Sequence, residues 1–134
     1  MKLLTPQLTA LLTANGKASG DHTPVVKFFS PVGSGTWLFS EIDGDILFGL
    51  CDLGFGYAEL GSASLSEIEA LCLPLGLTIE RDLLFEGCFP LSVYAEAARV
   101  RGAITENAFL LEAAAARLAA ERPELPPSIP PGGG

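Results

Sequence analysis

Apolar positions near the start of the chain repeat at helical spacing. Leu8, Leu11 and Leu12 share one face of a segment that Thr5 can cap, that Pro6 suits as its first residue, and that Asn15-Gly16 ends. The period then changes to two. Val25 to Phe29 alternates, Gly33-Ser34-Gly35 turns the chain, and Trp37 to Ile42 is a second β-rich run. Asp43-Gly44 is a strong hairpin signal, Ile46 to Cys51 follows as a third strand, and Gly54-Phe55-Gly56 leads into a fourth near Tyr57 to Ala63. Ser64-Leu65-Ser66-Glu67 matches a capping box, with Ile68 and Leu71 as the apolar stripe of a short helix before Pro74 and Gly76. Leu77 to Phe85 reads as a fifth strand, with Ile79, Arg81, Leu83 and Phe85 on one side. Residues 91–101 and 105–121 read as helices broken at Gly102, with Thr105 as a cap for the second.

Consecutive strands joined by tight turns predict an antiparallel meander, so the fold class is α+β: about five strands, helices packed against one face, and a helical C-terminal extension. Residues 1–122 form a single domain in this reading, with a helical extension over 91–122. The five prolines and three terminal glycines of residues 123–134 predict a disordered tail. In the last helix Ala108, Leu111, Ala115 and Leu118 recur at spacings of three and four, with Phe109 and Leu110 off that seam. This helix either folds back on 91–101 or pairs with a second copy, which predicts a monomer or a weak homodimer formed through residues 105–121.

Composition narrows the function. The 134 residues carry 16 acidic and 8 basic side chains, a formal net charge of −8, which argues against direct nucleic-acid binding because phosphates need clustered Lys and Arg. The longest uncharged run, residues 3–16, is too short and too polar to span a membrane, and Thr5-Pro6-Gln7 interrupts any signal-peptide core. These features predict a soluble cytoplasmic protein. Cys51, Cys72 and Cys88 have neither metal-clip nor redox spacing and read as small buried hydrophobes. The single histidine, His22, lies in a polar stretch and reads as a loop residue.

Ten acids and one base, Arg81, lie between Glu41 and Glu86. Such a cluster could bind Mg²⁺, but Ile46-Leu47-Phe48 breaks any calcium-loop pattern after Asp45, and hairpin and helix-start positions explain several of the acids. No metal and no cofactor is expected. Neither glycine turn has the lysine or the following helix of a phosphate loop. Arg81, placed with apolar neighbours on its strand, should pair with Glu41 or Glu59 as a partly buried ion pair, or else recognise an anion in a cleft. Trp37 reads as core, with a binding face as the alternative. The candidate binding or structural residues are therefore Trp37, Glu41, Glu59, Glu80, Arg81 and Asp82; no catalytic residue can be named.

Several segments occur in a familiar order: Met1-Lys2-Leu3-Leu4-Thr5, Val26-Lys27-Phe28-Phe29-Ser30-Pro31, Thr36-Trp37, Glu41, Leu47-Phe48-Gly49-Leu50, Glu59-Leu60-Gly61, Ser64 to Glu69 and Leu75 to Asp82. Over residues 1–90 the chain resembles the bacterial family named domain of unknown function 2958. That resemblance implies a setting on plasmids, conjugative elements and related mobile DNA, and it brings no established activity. The expected function is a non-catalytic accessory or interaction protein of a mobile element. One version is an acidic surface that mimics a nucleic-acid backbone and occupies a basic or DNA-handling protein. The alternatives are a small Mg²⁺-assisted enzyme using converging carboxylates such as Glu41, Glu59, Glu80 and Asp82, or a small-molecule binding module using Trp37 and Arg81.

Overall fold

A computed structural model describes residues 2–121. Helix α1 (Pro6–Lys17) precedes strands β1 (Val26–Phe29), β2 (Thr36–Asp43), β3 (Ile46–Asp52) and β4 (Ala58–Ser64). Helix α2 (Leu65–Ala70), a single 3-10 turn at Pro74–Gly76, strand β5 (Glu80–Arg81), and helices α3 (Leu91–Arg101) and α4 (Ala108–Glu121) follow. All strand pairs are antiparallel, in the order β4-β3-β2-β1-β5. The protein is an α+β fold built on the expected meander.

Strand β2 decides how the layers stack. Trp37, Leu38, Phe39 and Ser40 are all buried, so side chains pointing both ways from this strand need cover. Trp37, Phe39, Phe28 and Ile42 pack with Leu12 of α1 and Ile68 of α2. Leu38 and Leu50 pack on the other side with Tyr94, Ala97 and Ala98 of α3 and Leu111 and Ala114 of α4. Helices therefore cover both faces, not one, and the unbroken apolar run Trp37-Leu38-Phe39 is the cause. A bulge between Phe39 and Glu41 shifts the register against β3 and leaves the buried Ser40 hydroxyl without a hydrogen-bond partner among the described residues.

Several boundaries differ from the sequence reading for local reasons. Thr5 caps α1, its side chain accepting from the Leu8 N–H at 3.2 Å, but the helix runs through Asn15-Gly16 to Lys17. Asn15 donates from Nδ2 to the Ser40 carbonyl at 2.9 Å, and a Cβ at Gly16 would stand 2.6 Å from the Ile42 carbonyl oxygen. The pair docks the helix on β2; it does not stop it. Leu12 is buried while Leu11 is exposed. Helix α2 ends at Ala70, which leaves Leu71 exposed. Strand β5 is only two residues long, because Asp82 accepts from the Leu84 N–H at 2.9 Å and turns the chain, exposing Leu83 and Leu84.

Gly102 ends α3 in the left-handed conformation, and Asn107, not Thr105, caps α4 by accepting from the Leu110 N–H at 3.0 Å. Helix α4 folds back on α3 within the chain through Leu111, Ala114, Ala115 and Leu118, while Ala108 is exposed. The predicted tail lies outside the described residues.

Candidate functional site

The short edge strand β5 carries two of the sequence candidates, Glu80 and Arg81, with Asp82 directly after it, and two clefts flank it. One, of about 390 Å³, is lined by Lys2, Leu3, Gly76, Leu77, Thr78, Glu80, Arg81 and Leu83. The other, of about 490 Å³, shares Glu80, Arg81 and Leu83 and adds Lys27, Phe29, Asp82 and Leu84. Arg81 opposes Phe28 and Glu80 opposes Phe29 across the β1–β5 pair.

Arg81 does not meet the carboxylates expected for it. Its Nε donates to the Leu3 main-chain carbonyl at 2.8 Å, and among the described residues no carboxylate lies within ion-pairing distance. Glu41 sits on β2 opposite Phe48, and Glu59 on β4 opposite Cys51. The N–H of the same Leu3 donates to Glu69 of α2 at 2.7 Å. Two charged side chains thus hold one buried peptide segment against the sheet edge. Asp82 is paired with Lys27, at 3.6 Å, and Lys27 also meets Glu106 at 2.5 Å, so that cation bridges β1 to the α3–α4 connection.

The remaining candidates lie elsewhere. Trp37 is buried in the core beneath α1 and α2. Glu59 stands on β4 at one edge of the sheet, and Glu80 and Asp82 stand at the other, with β3, β2 and β1 between. Glu41, Glu59, Glu80 and Asp82 therefore do not share a cleft. Among the described residues no group of three or more His, Cys, Asp or Glu could hold a metal ion. Cys51 is half-buried, and burial pushes its thiol up, with the Asp52 and Glu59 charges adding to the effect. Cys72 and Cys88 are exposed, contrary to the buried reading, because their apolar neighbours are themselves loop residues. His22 bonds through Nε2 to the Ala18 carbonyl at 2.8 Å.

Two features escaped the sequence reading. Glu96 on α3 is buried, takes a two-pronged contact from Arg99 (2.9 and 2.8 Å) and a third bond from Arg117 of α4 at 2.8 Å. Those hydrogen bonds hold its carboxyl down at about 2. The second is the β3–β4 hairpin, which exposes Ile46, Phe48, Leu53, Phe55, Tyr57 and Leu60. A visible sign was there: the turn carries aromatic residues where polar ones are usual, and residues 28–80 contain no Lys or Arg. No described helix is long and apolar enough to cross a membrane.

The family model described as protein of unknown function (DUF2958) matches residues 3–105. The match runs beyond the first ninety residues to take in α3. No curated protein and no solved structure matches the chain.

Proposed function

The chain belongs to this family of proteins of unknown function, and we propose that it is a non-catalytic interaction protein whose β3–β4 hairpin docks a basic protein partner. One observation carries the reading: six large apolar side chains stand exposed on a single hairpin at the edge of the sheet. Three of them, Leu53, Phe55 and Tyr57, line one small cleft at the turn with Cys51 and Glu59, and exposed apolar residues grouped in this way mark interaction surfaces, whereas scattered ones need no explanation. Among the described residues the outer edge of β4 has no neighbouring strand, and a Cβ at Gly61 would meet nothing within 4 Å, so an extended segment of a partner can approach it.

Charge supplies the partner's chemistry. Asp43, Asp45 and Glu59 rim the hairpin, and residues 28–80, which include the whole hairpin, contribute no Lys or Arg of their own. Asp45 is held in its charged form by the Ser64 and Ser66 hydroxyls, whose hydrogen bonds lower its pKa. A DNA-handling protein fits this surface, because its phosphate-binding face is basic. The mobile-element setting implied by the family resemblance and a cytoplasmic location belong to the same proposal. The dispersal of Glu41, Glu59, Glu80 and Asp82 weighs against the carboxylate enzyme.

The test compares baits in host lysate at about 50 and 500 mM salt. Partners with a basic face should be captured at low salt by the wild type and by Glu112→Lys, and lost with Phe55→Ser and with Glu59→Lys. Capture lists unaffected by either hairpin substitution would overturn the proposal.

A further inference from the structure

The cleft on the Leu3 side of β5 lies at the opposite edge of the sheet from the proposed docking hairpin and has a different chemistry. Guanidinium groups carry five N–H donors, and among the described residues Arg81 uses only its Nε, on the Leu3 carbonyl. Among the described residues its two terminal nitrogens have no hydrogen-bond partner, and they are not among the sealed-off polar atoms. The side chain lines this cleft and is fixed through Nε on Leu3, which lines this cleft and not the one across β5. The Leu3 bond fixes the plane of the fork, so the two terminal groups are already oriented before any ligand arrives.

Three further features suit a ligand there. Lys2 brings a second positive charge to the same cleft, so the two cations outnumber the one carboxylate in its lining, Glu80. Leu77 and Leu83 supply apolar wall, and the volume of about 390 Å³ suits a small molecule. The loop that leads into the wall is strained at Leu75 (φ 65°, ψ 19°), a left-handed conformation that a leucine side chain resists, just before the lining residue Gly76 (φ 73°). A closed backbone link from the Leu73 N–H to the Leu77 carbonyl, 2.8 Å, holds that loop in place.

We infer that this cleft binds a small organic oxyanion, with Arg81 and Lys2 on the carboxylate or phosphate group and Leu77 and Leu83 against its apolar body. A planar fork matches either head group in a two-pronged geometry, so the shared chemistry is the oxyanion.

Amide chemical shifts of the full chain, titrated with benzoate, phenyl phosphate and inorganic phosphate, test this. Saturable shifts are expected at Lys2, Gly76, Leu77, Thr78 and Arg81. Response to benzoate alone identifies a carboxylate ligand, and response to phenyl phosphate alone identifies a phosphate monoester. Inorganic phosphate binding as tightly as phenyl phosphate would overturn the organic body. Arg81→Lys should weaken binding about tenfold, the loss expected for a charge-assisted hydrogen bond. Lys2→Ala should weaken it by a smaller factor, and Leu77→Glu should do so without touching the Leu3 bond, which keeps the test valid if Arg81→Lys fails to fold. No saturable shift up to about 10 mM of any probe, or unchanged affinity in the folded variants, would overturn the inference.

Discussion

Arg81 and Leu3 are 78 residues apart in sequence, yet the guanidinium Nε donates to the Leu3 carbonyl at 2.8 Å. The Leu3 N–H is taken by Glu69 at 2.7 Å, so both backbone polar atoms of one buried residue are satisfied by side chains. This segment precedes α1 and joins no strand, and without those partners its backbone would be desolvated at a cost. Arg81 therefore has a structural duty that its sequence neighbours do not reveal.

Arg81→Ala should destabilise the protein by about 1–3 kcal/mol, the range for losing a charged donor to a partly buried carbonyl. Stranding a buried carboxylate would cost about 3–5 kcal/mol, and among the described residues Arg81 has no carboxylate partner to strand. Glu69→Ala should cost a similar amount. Because both act on Leu3, the double variant should lose less than the sum of the two. Urea unfolding of the four proteins measures this, and strict additivity would show that the two bonds are independent.

Glu96 predicts an acid-sensitive helix pair. Its folded pKa of about 2 lies below the ordinary value of 4.5, so the stabilisation from Arg99 and Arg117 is complete above pH 4.5. It is lost as pH falls from 4.5 towards 2, when the carboxylate is protonated and the bridge from α3 to α4 weakens. The melting temperature of the wild type should drop across that window more steeply than that of Glu96→Gln. Parallel curves would contradict this.

The meander was legible because alternation and Asp-Gly or Gly-X-Gly turns are local signals, and the observed strands begin and end within about two residues of them from Val26 to Ser64. What was not legible depended on contacts far apart in sequence. The Trp37-Leu38-Phe39 run required cover on both faces, but alternation alone does not place α1 and α2 on one side and α3 and α4 on the other. Asn15-Gly16 has the composition of a stop, and only Ile42 and Ser40 explain why it is a docking contact. Among the candidate residues, Glu80, Arg81 and Asp82 share one site because they are consecutive. Glu41, Glu59 and Trp37 could be separated from them only by strand order.

Gly49 and Gly61 face each other across β3 and β4 and should respond oppositely to the same change. At the β2 bulge a Cβ on Gly49 would stand 1.9 Å from the Leu38 carbonyl oxygen, an overlap with backbone that no rotamer relieves. At Gly61 it would meet nothing within 4 Å. Gly49→Ala should cost more than about 3 kcal/mol or abolish folding, and Gly61→Ala should stay within about 0.5 kcal/mol. Equal melting temperatures for the two variants would contradict the bulge geometry.

The last prediction concerns α4. Leu111 and Ala114 are fully covered, and Leu118 packs on the same cluster, so the apolar face that could have been a dimer seam is used within the chain. Leu111→Ala should therefore cost about 2–5 kcal/mol, as for any large-to-small change in a packed core, whatever the protein concentration. Removing everything after Arg101 should uncover Leu38, Leu50 and Ala97 and lead to aggregation, not to a stable monomer. Phe109 is different: it is 77 % exposed on the first turn of α4 and contributes nothing to that core. If copies of the chain associate through residues 105–121, Phe109→Asp should weaken the association and leave the melting temperature unchanged. Sedimentation measured over a hundredfold concentration range separates the two effects, and a concentration-dependent loss of stability in Leu111→Ala alone would show that the seam works between chains.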